Sequence, residues 1–135
     1  MGYGSGAHEG GITRLVDASW DTRHLLVKVG TDATHVNLCD ENSRPVGVCS
    51  DSPDAAEERV AVHPLGAMGG TVVMVADGVY DADIDVYTAD DGKVQDEPAA
   101  AGTYYKVGHS LNASAADGDT IEVDPCHPIA LVVPA

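Results

Sequence analysis

Short apolar runs separated by polar turns occupy almost the whole chain, and their lengths predict strands. Runs of this kind fall at Leu25–Val29, 46–49, 59–62, 71–76, Ile84–Thr88, 104–107, 120–123 and 129–133. Asp77-Gly78, Asp91-Gly92, Asp117-Gly118 and several prolines punctuate them as turns. No stretch sustains a helical period. Only residues 53–58, "PDAAEE", carry a helix-start signature, with proline first and acids behind it, and they predict a single helical turn. Asp81, Asp83, Asp85 and Tyr87 alternate with Ala82, Ile84 and Val86, so a strand there would turn the first set to solvent and the second inward. Val62, Val73, Ile84, Val107 and Ile121 sit at strand centres or on apolar faces and are expected in the core.

The start is different. "MGYGSGAHEGG" is mostly glycine and polar residues and reads as a flexible arm. Ile12, Leu15, Val16 and Trp20 then offer apolar anchors. This divides the chain into an arm over residues 1–20 and a β-rich domain over 21–135, with the arm's anchors as candidates for contact with a partner surface. Trp20, the lone tryptophan, either anchors such an interface or plugs one end of the domain.

A weak internal duplication runs through the domain. "PVGVCSDSPDAAEERVAVHP" lies over "KVGHSLNASAADGDTIEVDP" at one constant step, 61 residues from Val46 to Val107 and from Val60 to Ile121 (107 − 46; 121 − 60). Upstream, "LLVKVGTDATHV" matches "IDVYTADDGKV" with a slipped register. Two related β units follow from this.

Composition narrows the partners. With 7 basic and 22 acidic residues the formal charge is −15, the wrong sign for holding nucleic-acid phosphates or an anionic membrane. The apolar runs are also too short to span a bilayer. Such acidity keeps an abundant protein soluble, or attracts a basic partner surface. Cys39, Cys49 and Cys126 show no C-x-x-C spacing, and the first residues lack the apolar core of a secretion signal, so synthesis in a reducing cytoplasm is expected.

No catalytic set emerges. "VGHSLN" at 107–112 resembles a nucleophile elbow around Ser110, yet a poor helix former follows it, Asn112 stands where glycine belongs, and the repeat partner "VGVCSD" has no such signature. A turn serine is the better reading, and a hydrolase using His109 and Ser110 the outsider. The Asp81, Asp83, Asp85 spacing fails as a calcium loop, because Val86 and Gly92 stand where glycine and glutamate are required. His63, Cys126 and His127 lack metal-ligand spacing, and Gly69-Gly70 precedes no phosphate-loop lysine. Neither a cofactor nor a metal is expected.

The order of these elements resembles the small capsid decoration, or cement, proteins of tailed bacteriophages. The phrases that carry the likeness are Asp85-Val86-Tyr87, Asp91-Gly92-Lys93-Val94, Val107-Gly108 and Gly118-Asp119-Thr120-Ile121-Glu122-Val123. The resemblance implies a compact barrel-like β domain, a homotrimer, and binding to the major capsid protein on the outside of the virion shell. Its implied role is structural, stabilising the assembled capsid by bridging neighbouring capsomers, with Ile12, Leu15, Val16 and Trp20 in the capsid interface. The alternative is a small β binding or adaptor module of a larger assembly.

Overall fold

The computed structural model describes residues 11–67 and 69–135. It contains ten strands and no α-helix among those residues: β1 (Ile12–Val16), β2 (Leu25–Val29), β3 (His35–Leu38), β4 (Gly47–Cys49), β5 (Arg59–Pro64), β6 (Val72–Val75), β7 (Ile84–Thr88), β8 (Val94–Gln95), β9 (Gly102–Ser110) and β10 (Thr120–Val133). The first five close into a barrel in the order β1-β3-β2-β4-β5. The last five form a sheet in the order β6-β10-β9-β7-β8, and an isolated parallel bridge from Ala76 to Val94 ties its two edges together.

The sequence repeat is a structural repeat. Gly47 faces Pro64 and Cys49 faces Val62 in the first unit, while Gly108 faces Pro125 and Ser110 faces Val123 in the second. Leu25 opposite Cys49 corresponds to Ile84 opposite Ser110, and the parallel pair Val16–Val36 corresponds to the Ala76–Val94 bridge. Even the loops correspond. The Glu58 carboxylate accepts the backbone N–H groups of Asp54 and Ala55, and the Asp119 carboxylate accepts those of Ala115 and Ala116. The Val-Gly signature has a steric cause: a Cβ on Gly47 would collide with the His63 carbonyl, and one on Gly108 would stand 2.6 Å from the Asp124 carbonyl oxygen. Only glycine lets the hairpin strands cross this closely.

Each unit has its own interior of inward-facing aliphatics. Val16, Trp20, Leu25, Val27, Val36, Cys49, Val60 and Val62 fill the first barrel, and Met74, Ala76, Tyr80, Val86, Val94, Val107, Ile121 and Val123 fill the second. The barrels are then interlocked. Leu26, Cys39, Val48 and Leu65 leave the first barrel's outer face to join the second cluster, and Val75 joins the first.

Several expectations need correction. Residues 12–20 are part of the first barrel: β1 pairs with both β3 and β5, Val16 is fully buried, and Trp20 is 9% exposed. Closing the barrel requires β1, because without it β3 and β5 would keep open edges. Residues 53–58 form no helical turn. Glu57 has a positive φ of 69°, which stops a helix there, and the Glu58 carboxylate binds back to the chain. Strand β7 begins only at Ile84, after Asp83 with φ 63°, and Tyr87 is buried at 9% exposure instead of facing solvent. Val62, Val107 and Ile121 are core residues as expected, Ile84 packs partly buried against the core, and Val73 is exposed on the outer face of β6. Runs 120–123 and 129–133 are one strand, β10, whose register against β9 shifts between Pro125 and Ile129.

Candidate functional site

The residues singled out from the sequence do not assemble into one site. Of the four expected contact residues, Val16 and Trp20 point inward, while Ile12 and Leu15 are half-buried on β1. Trp20 also donates its indole N–H to the Asp51 carbonyl at 3.2 Å and its backbone N–H to Pro53 at 3.1 Å, so both ends of the residue are committed to the fold. The remainder of the expected arm, residues 1–10, lies outside the described residues.

Ser110 is fully buried at the end of β9 and donates its hydroxyl to the Asn112 carbonyl at 2.6 Å. His109 is the next residue on the strand and therefore projects from the opposite face. Its ring meets Asp83 at 2.6 Å and Asp85 at 3.1 Å. The histidine thus cannot serve Ser110 as a base, and the serine meets no solvent. Cys39, Cys49 and Cys126 are free thiols, and burial pushes Cys39 up to about 12, far from a reactive thiolate. Among the described residues, no three His, Cys, Asp or Glu side chains converge to hold a metal ion.

What the fold does assemble is a set of ionic clasps that pin loops to strands. In the first barrel His35 bridges Asp32 at 2.8 Å and Glu57 at 3.0 Å, joining the β2–β3 turn to the β4–β5 loop. In the second, Lys93 reaches Asp117 at 3.2 Å in the corresponding place. One clasp is centred on a histidine and the other on a lysine. The Asp32 hydrogen bond, then that of Glu57, raises His35 to about 9, and Asp83 and then Asp85 raise His109. A group whose folded pKa lies above its unfolded value stabilises the fold fully below the unfolded pKa, here about 6.5, and loses that contribution as pH climbs through the folded one. The melting temperature is therefore expected to fall between pH 6.5 and about 9, and His35→Gln should flatten that slope. An unchanged slope in the variant would assign the titration to other groups.

Two surface depressions formed by the described residues bear on binding. One, of about 560 Å³, lies where the barrels meet and is lined by Val29, Pro45, Pro64, Leu65 and Pro128, with Arg44 and His127 at hand. The other, of about 630 Å³, belongs to the second barrel alone and is walled by Tyr80 and Tyr87 and by the carboxylates of Asp81, Asp85, Asp96 and Glu97. Neither was read from the sequence. Their residues are scattered along the chain, and only strand pairing collects them. The nearest signal was the acidic excess itself, which left open where the charge would gather.

No protein-family model and no curated protein matches this chain. Among solved structures, the N base of the head fiber gp8.5 of bacteriophage phi29 is similar. It matches with a TM-score of 0.64 at 16% sequence identity, over 87% of this chain and 94% of that one. The two share a fold. The overlap takes in nearly the full length of both, so the likeness spans both barrels and the junction between them. At this identity it lies in the backbone architecture, with few of the side chains in common.

Proposed function

We propose that this chain is a structural component of a phage virion, a decoration or cement protein that docks on the outside of the assembled head and stabilises it by bridging neighbouring capsomers. The observation that carries the reading is the tandem-barrel architecture, shared over almost its whole length with the base of a phage head fiber. The strongly acidic composition and the burial of Ser110 agree with a role built on binding. The mechanism is thermodynamic: a protein that binds only the assembled shell stabilises that state by mass action. On this reading the major capsid protein is the partner and the docked form is a homotrimer. On the same reading residues 1–20 are the capsid-facing part of the chain, with Leu15 on the outward side of β1 and Ile12 packed partly buried against the first barrel's interior.

Co-sedimentation of the purified chain with expanded and unexpanded shells of the phage that encodes it tests this directly. Saturation at a fixed ratio on expanded shells, together with a higher disruption temperature of the loaded shells, is the expected result. A chain that stays in the supernatant at every ratio overturns the reading and leaves the adaptor module. Light scattering on the free and shell-released protein checks the trimer.

A further inference from the structure

The internal duplication exposes a surface that a single barrel would not reveal. On the first barrel, Leu26, Cys39, Val48 and Leu65 form the outer patch that the second barrel covers. Counted through the paired registers, the same four places on the second barrel are Asp85, Glu97, His109 and Cys126. Among the described residues no third barrel covers them. The patch that is apolar and sealed in one unit is polar, acidic and open in the other, and the larger cleft begins on it.

The cleft has the parts of a receptor for an organic cation. Tyr80, Tyr87, Val79 and Ile84 supply aromatic and apolar wall, and a 630 Å³ volume accommodates a long side chain. Asp81, Asp96 and Glu97 make no hydrogen bond or ion pair among the described residues, whereas Asp85 is already engaged by His109 and by Lys106 at 3.2 Å. Tyr80 is only 7% exposed, and its hydroxyl is the one buried side-chain polar atom among the described residues without a hydrogen-bond partner. A buried, unsatisfied hydroxyl is a costly feature that folds seldom retain. The first barrel underlines the point, since Trp20 in the corresponding place has its N–H bonded to Asp51. Burial, and after it the Asp96 and Asp77 carboxylates, raise the Tyr80 pKa, so the phenol stays neutral and its oxygen can accept a hydrogen bond.

We propose that this cleft of the second barrel binds an arginine side chain presented by a basic segment of a protein partner. The planar guanidinium stacks against tyrosine, carries five N–H donors for carboxylates that stand apart, and sheds its water more readily than an ammonium. A metal ion suits the cleft less, because no three ligating side chains converge among the described residues. The chain's charge of −15 draws such a segment in from a distance, and the cleft gives the attraction a specific end point. This inference goes beyond the capsid reading. It concerns the second barrel only, and its test uses no shell.

The test titrates the isotopically labelled full chain with acetyl-Gly-Arg-Gly-amide, following backbone amide resonances, with the citrulline peptide and calcium chloride as separate arms. Saturable shifts at Val79, Tyr80, Asp96 and Glu97 are expected for arginine and none for citrulline. Asp96→Asn with Glu97→Gln should weaken binding roughly fivefold or more, and Tyr80→Phe roughly threefold, with the spectrum otherwise intact. Control changes remote from the cleft, Asp54→Asn and Glu122→Gln, should leave the affinity as it was. Shifts spread evenly over the acidic surface, or controls as damaging as the cleft variants, would reduce the effect to general charge and overturn the proposal. So would calcium that saturates the same resonances and excludes the peptide.

Discussion

Leu26→Asp should cost the protein about 4 kcal/mol or more and separate its two barrels. Leu26 is fully buried, starts from a strand of the first barrel and packs among the interior residues of the second. Truncation of such a leucine alone costs about 2–5 kcal/mol, and the carboxylate adds the penalty of an unpaired buried charge. The choice of aspartate is pointed, because Asp85 occupies the corresponding place in the second barrel and is tolerated there in the open. Burial raises the pKa of the new carboxyl, so its folded-state cost is smallest when it is protonated. The loss should accordingly be smaller at pH 5 than at pH 8. Urea unfolding of wild type, Leu26→Ala and Leu26→Asp at the two pH values measures both effects. Equal midpoints for wild type and Leu26→Asp would mean that the barrels do not depend on this junction.

Trp20→Ala is the second large effect, about 3–5 kcal/mol. The side chain fills the first barrel beside Val16, Leu25 and Val27 and leaves a large cavity when removed, and its indole partner at Asp51 is lost as well. Trp20→Tyr should be far milder, since a tyrosine fills the corresponding place in the second barrel. Because the chain has no other tryptophan, circular dichroism is the appropriate readout of melting. The comparison discriminates between the two roles the sequence leaves open for this residue. A Trp20→Ala variant that melts like wild type but fails to bind shells would make the residue an interface anchor after all.

The repeat was legible because its signature is steric. Val-Gly opposite a proline recurs wherever the hairpin backbones come too close for a Cβ, so Gly47 and Gly108 mark the same crossing in both units. Long strands such as β9 and the start of β10 announced themselves by composition and alternation. Strands β3 and β8 did not. They span four and two residues, mix polar with apolar side chains, and exist only because a neighbouring edge needs pairing. β1 was obscured by the glycines ahead of it, and its partners Val60, Val62 and Val36 lie far along the chain. The junction was invisible for a related reason: Leu26 and Val48 look like any strand residues, and which face meets the other barrel is set by tertiary packing. The cleft required both levels at once, since Tyr80 and Asp96 meet only after the second sheet has curled.

The order of the strands also fixes the order of events during synthesis. Every strand of the first barrel lies before residue 65, so this unit can close as soon as that stretch has left the ribosome. The second sheet waits for β10, which pairs with both β6 and β9 and comes last among the described strands in chain order. At translation rates of about 5–20 residues per second the nascent first barrel stands alone for several seconds. Throughout that interval Leu26 and Val48 are uncovered, and the fully made chain hides them. The hazard is therefore kinetic. On a polysome, neighbouring copies of the first barrel present the same apolar patch to one another before either has its own second barrel to cover it.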